Sequence, residues 1–151
     1  METTHKQIPK GLIDEILAFL YQSNSKFFRV YGSGEYETFV PLLIKRDEEL
    51  RKEAEILGRK GKKRVIKDQA ENEVEVPIKY QLKFFAYEVF GELEVDGLFR
   101  LYEELRQGIC NNGDRLVLIV LDSNNVIRRR DFPGGAIDLG WFLNRKSNNF
   151  Y

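Results

Sequence analysis

Residues 73–96 read EVEVPIKYQLKFFAYEVFGELEVD, and their patterning decides the expected fold class. In the first half Val74, Val76, Ile78, Tyr80, Leu82, Phe84 and Ala86 alternate with Glu73, Glu75, Pro77, Lys79, Gln81 and Lys83. Strand side chains point to opposite faces with period two, so this half predicts an amphipathic strand with one face on a core. The phase then inverts: Phe85, Tyr87, Val89, Leu93 and Val95 are apolar, while Glu88, Glu92, Glu94 and Asp96 are acidic. No Gly, Asn or Asp stands at Phe84 and Phe85 to make a turn. A β-bulge, or a strand crossing between two buried environments, is therefore expected.

Upstream, Leu12, Ile13, Ile16, Leu17 and Leu20 recur at helical spacing after Pro9, and Ser23, Asn24 and Ser25 break the pattern, which predicts a first helix. Residues 26–31 and 36–42 are β-branched and aromatic runs joined by Gly32, Ser33, Gly34 and Glu35, whose glycines can supply the positive φ of a hairpin turn. Pro41 would put the end of the second strand at a sheet edge. From Lys45 the chain becomes polyampholytic. Asp47 as N-cap and Gly58 as C′ residue predict a short, largely exposed helix with Leu50, Ala54 and Leu57 as its thin apolar stripe. Arg59, Lys60, Lys62, Lys63 and Arg64 follow, and residues 45–72 are expected to form a charged, mobile excursion because few apolar side chains there offset the entropy of ordering.

Downstream, Asp96 is placed to cap a helix in which Leu98, Leu101, Tyr102 and Leu105 form one face, ended by Gly108. Residues 116–121 are apolar at every position, as in a central strand covered on both faces. Asp122, Ser123, Asn124 and Asn125 would turn this strand into a charged edge strand over 126–132. After Pro133, Gly134 and Gly135, Asp138 is placed to cap a last helix, with Trp141 and Leu143 closing the core. The expectation is one α+β domain over residues 1–151. Its sheet is expected to be mainly antiparallel, built from two hairpins and a long bent strand, with helices packed on it.

Composition narrows function more by exclusion than by pointing. The 24 basic and 24 acidic residues cancel, so only local clusters can argue for a charged partner. Cys110 is the lone cysteine and His5 the lone histidine, which removes an intramolecular disulfide and the usual His/Cys zinc sites. No cofactor is implied, and a reducing, cytoplasmic setting is expected. No apolar run approaches the roughly 18 to 20 residues that span a bilayer, so no membrane partner is expected. The short glycine pairs lack the Lys-Ser/Thr of a P-loop and the third glycine of a dinucleotide fingerprint.

Three functional readings remain. The basic run 59–67, with Arg59, Lys60, Lys62, Lys63 and Arg64, together with Arg128, Arg129 and Arg130, can bind a partner. Clustered cations gain affinity for nucleic acid by releasing counterions, and they also steer association with acidic proteins. The acids Glu88, Glu92, Glu94 and Asp96 would share one strand face under regular pairing, a row able to hold a divalent ion for phosphodiester cleavage. Against that nuclease reading, no lysine has an acidic residue two positions before it. The favoured expectation is a non-catalytic binding protein of inhibitor, immunity or adaptor type acting on a protein partner, ahead of a nucleic-acid-binding module and a metal-dependent nuclease.

Overall fold

The computed structural model describes residues 10–31, 36–89, 91, 95–122, 124–128, 130 and 132–138. In chain order these form α1 (Lys10–Ser23), β1 (Phe27–Tyr31), α2 (Tyr36–Gly58), β2 (Val65–Lys67), β3 (Glu73–Glu75), β4 (Gln81–Glu88), α3 (Val95–Ile109), β5 (Asp114–Asp122) and β6 (Gly135–Asp138). The main sheet has the order β4-β5-β1-β6. All of its pairings are parallel, and only the small β2–β3 pair is antiparallel.

The α+β class holds, but the mainly antiparallel sheet expected from sequence is overturned. Its physical cause lies in β1 and β5. A parallel sheet is covered on both faces, so its inner strands are apolar at successive positions rather than alternating. Phe27, Phe28 and Val30 of β1 and all of Leu116 to Leu121 of β5 are buried. On one face Phe28, Val30, Val117 and Ile119 meet Leu12, Leu17, Phe39, Leu43 and Leu50 of α1 and α2, with Val74 and Val76 from the hairpin side. On the other, Phe27, Leu116, Leu118 and Val120 meet Leu98 and Tyr102 of α3, and Ile127 and Phe132 of the chain after β5.

Neither expected hairpin of the main sheet forms. Residues 36–42 open α2, in which Phe39, Leu43, Leu50 and Ala54 make a buried stripe at helical spacing. Asp47 lies inside that stripe rather than capping a shorter helix, and Pro41 sits exposed in the second helical turn. The turn expected at Gly32 to Glu35 lies outside the described residues. The described residues of 126–132 do not pair with β5; Ile127 and Phe132 pack on the α3 face, and β6 then pairs in parallel with β1. Asp138 ends β6, while the helix expected beyond it, with Trp141 and Leu143, lies outside the described residues.

The long bent strand is likewise two strands. Val76 donates its N–H to the Arg64 carbonyl at 2.9 Å, Pro77 has no N–H, and Ile78 is exposed, so pairing lapses before β4. From Gln81↔Asp114 to Glu88↔Leu121 the register of β4 and β5 is regular, without a bulge at Phe84 and Phe85. Leu82 and Phe84 pack toward the α1–α2 core, while Phe85 and Tyr87 point to the opposite face and stay exposed, so the inversion records apolar side chains on both faces of an edge strand rather than a bulge. The first helix, the α3 helix and the central placement of β5 agree with the sequence reading.

Polar clamps hold α1 to α2. Asp14 accepts two bonds from Arg46, at 2.7 and 3.1 Å. The buried Asp47 accepts the Tyr21 hydroxyl at 2.7 Å and Arg51 Nε at 3.1 Å. Burial pushes the Tyr21 phenol up, reinforced by the Asp47 charge. Burial also pushes the Asp47 carboxyl above the usual aspartate value, against the lowering effect of its bonds to Tyr21 and Arg51.

Leu118 is fully buried at the centre of the sheet, so Leu118→Ala should cost about 2 to 5 kcal/mol in urea titration. A carboxyl with a raised folded-state pKa adds stability below its unfolded value, and this increment is lost as pH rises through the folded value. The stability of the wild type relative to Asp47→Asn should therefore increase as pH falls through that window, as measured by paired denaturant titrations.

Candidate functional site

The basic run begins where α2 ends. Arg59 N donates to Glu55 O at 3.2 Å, Lys60 N and Lys62 N both donate to Leu57 O at 2.9 Å, and Gly61 N donates to Gly58 O at 3.1 Å. Gly61 has a φ of 74°, a left-handed conformation that glycine adopts without a Cβ penalty. The cations are thus fastened to a helix terminus by their own backbone. Cationic charge is favourable there because the unsatisfied carbonyls leave that end partially negative.

The structure divides the run. Lys63 pairs with Glu75 at 3.2 Å, and Arg64 Nε with Glu53 at 2.6 Å while Nη1 donates to the Val65 carbonyl. Arg59, Lys60 and Lys62 are exposed, with no ion-pair partner among the described residues. Arg128 and Arg130 are exposed on the connection from β5 to β6, and Arg129 lies outside the described residues. Ile127 and Phe132, which flank them, pack on the α3 face, whereas α2, β2 and β3 cover the opposite face. The two basic groups therefore belong to different layers.

Of the acidic set, Glu88 is exposed at the end of β4 and Asp96 is exposed in the first turn of α3, while Glu92 and Glu94 lie outside the described residues. With Asp96 on a helix, the four cannot form a row along one strand. Among the described residues no group of three or more His, Cys, Asp or Glu is arranged to hold a metal ion. Burial pushes the Cys110 thiol up, which disfavours the nucleophilic thiolate. No helix among the described residues is long and apolar enough to cross a membrane.

The carboxyl ends of β1 and β5 hold a polar cluster that sequence reasoning did not single out. β1 leads into α2 on one face and β5 leads into a connection on the other, a divergence at which open parallel sheets bind ligands. Here Arg29 Nε meets Asp122 Oδ2 at 3.0 Å, both side chains being almost fully buried. Arg29 Nη2 also donates to Asn125 Oδ1, and the guanidinium lies 4.1 Å from the centre of the Tyr31 ring. Asp122 further accepts Val126 N at 2.8 Å and Ile127 N at 2.9 Å. Both charges are matched, so the cluster anchors the β5–β6 connection to β1. Its sequence signal was slight: one arginine inside FFRVY and one aspartate ending LVLIVLD.

Beside this cluster, a cleft of about 750 Å³ lies between α1, the β2–β3 turn and β6. Glu15, Phe19 and Gln22 line it from α1, Asp68 to Ala70 from the turn, and Phe132 and Ala136 from the far side. No protein-family model, curated protein or solved structure matches the chain.

Removing either member of the buried pair leaves the other charge uncompensated, and such losses cost about 3 to 5 kcal/mol. Asp122→Ala should be more destabilising than Arg29→Met, because it also orphans the N–H groups of Val126 and Ile127. Urea titration of the two variants checks the order.

Proposed function

We propose that the protein is a non-catalytic recognition protein, of inhibitor, immunity or adaptor type, that binds an acidic surface of a protein partner through the cationic turn after α2. The observation supporting this reading is the split within the basic run: Lys63 and Arg64 each pair with a carboxylate of the fold, Glu75 and Glu53, whereas Arg59, Lys60 and Lys62 are exposed on a hydrogen-bonded turn with no ion-pair partner among the described residues. A backbone-anchored turn loses little conformational freedom on binding. Three neighbouring cations also repel one another, a cost that an acidic partner relieves while accelerating encounter.

The local distribution of sign favours protein over nucleic acid. Duplex DNA presents about one charge per 1.7 Å of its axis, and it gains affinity from many contacts of one sign. Exposed Glu55 lies one helical turn before Arg59, and Glu53 and Glu75 stand beside the cations they bind. A continuous polyanion would meet these carboxylates as well, whereas a protein surface can set cations against them.

Arg59→Ala, Lys60→Ala and Lys62→Ala together should leave stability nearly unchanged, since exposed charges contribute about 0 to 1 kcal/mol. The same variant should lose the salt-sensitive retention of the wild type on immobilised poly-glutamate, whereas Lys63→Ala should largely keep it. Stronger retention on mixed-sequence duplex DNA than on poly-glutamate at equal salt would transfer the turn to nucleic acid.

A further inference from the structure

The cleft beside β6 takes a different kind of ligand. We propose that an extended segment of a partner protein adds to the outer edge of β6 as a further strand, its apolar side chains entering the cleft and a basic side chain meeting Asp68. This site has its own residues and its own sign, so it stands or falls separately from the cationic turn.

The argument begins at the edge. β6 ends the order of the main sheet, and among the described residues it pairs with β1 alone. A sheet edge presents N–H and C=O groups in a row, a template that an incoming strand satisfies and a compact small molecule does not. The lining also comes from both faces of the sheet. Phe28 and Ile137 belong with the α1–α2 core, whereas Arg29 and Phe132 lie on the face that α3 covers. A space that wraps around an edge matches a strand, because successive side chains of a strand alternate between faces. Ala136 is exposed, which leaves room beside it for a side chain of the incoming segment.

Charge selects the segment. Arg29 is the basic member of the lining, and Asp122 already matches it. Asp68 accepts the N–H groups of Ala70 and Asn72, each at 2.9 Å, and Gln22 Nε2 at 3.2 Å. These bonds, led by the one from the Asn72 backbone, hold its carboxyl below the usual range, so it is ionised at neutral pH. Among the described residues its donors are neutral and no cation pairs with it, so its negative charge suits a cation from the partner. An apolar strand carrying a lysine or arginine therefore fits the cleft, and an acidic strand does not.

The test is selection from a phage-displayed library of random dodecapeptides on the full-length protein, followed by fluorescence titration of enriched peptides. Enriched sequences should alternate apolar and polar residues and carry a basic one. Backbone amide shifts on binding should concentrate at Gly135–Asp138. Ala136→Trp, which fills the cleft from an exposed position, should weaken binding by about tenfold or more. Asp68→Asn keeps the hydrogen-bond acceptor and removes the charge, so it should weaken the basic peptides and spare analogues whose basic residue is replaced by Gln. Replacing Arg59, Lys60 and Lys62 with Ala should leave this binding unchanged. The proposal is overturned by a selection without enrichment, or by peptides insensitive to both Ala136→Trp and Asp68→Asn. It is equally overturned by a concentration-dependent dimer in sedimentation that Ala136→Trp abolishes, because the edge would then belong to a second copy.

Discussion

Burial of β5 on both faces is the constraint from which the rest of the architecture follows. Leu116, Leu118 and Val120 point to one side and Val117, Ile119 and Leu121 to the other, and all are removed from water. One covering layer would leave half of them exposed at roughly 25 cal/mol per Å² of apolar surface. Two layers are therefore required, and two layers are what a parallel sheet with crossover connections supplies. The α1–α2 layer with its β2–β3 hairpin covers one side, and α3 with the β5–β6 connection covers the other. The polar clamps at Asp14–Arg46 and Tyr21–Asp47 then fix how the two helices of the first layer meet.

The parts of this arrangement that were legible in the sequence are those in which one local signal acts without competition. α1 and α3 carry apolar stripes at helical spacing, and 116–121 is apolar throughout. The errors arose where two signals conflicted. Residues 36–42 are rich in aromatic and β-branched side chains, yet Phe39 and Leu43 belong to a stripe that continues through Leu50 and Ala54. That stripe was obscured by Asp47, a buried aspartate whose partners Tyr21 and Arg51 come from tertiary contact and one further helical turn. The apolar character of 116–121 implied cover on both faces, but strand direction depends on where the connections run, which short-range patterning does not record.

Charge behaved in the same way at the candidate surfaces. Read along the chain, Arg59 to Arg64 is one basic cluster, whereas in space Glu75 of β3 pairs with Lys63, and Glu53 of α2, 11 residues before Arg64, pairs with Arg64. A run of cations is thus an upper bound on available charge, since pairing across a hairpin or from a helix is invisible to spacing. Arg29 and Asp122 show the converse. Arg29 stands among apolar neighbours, Asp122 opens a polar turn, and 93 residues separate them, yet the register that sets Tyr31 opposite Asp122 brings them into contact.

Close packing around the β1–β6 pair explains the two glycines before and within β6. A Cβ at Gly134 would lie 2.2 Å from the Phe27 carbonyl oxygen, and one at Gly135 would lie 2.5 Å from the Phe19 ring. The lack of side chains at these positions serves close approach. Gly134 lets the connection from β5 pass against the backbone of β1, and Gly135 lets β6 start beneath an aromatic ring of α1. Phe19, held there only because Gly135 makes room, stays partly exposed and forms a wall of the cleft. The placement of β6 and the apolar lining beside it therefore share one requirement: a strand must enter the sheet between a helix and a backbone that leave no space for a methyl group.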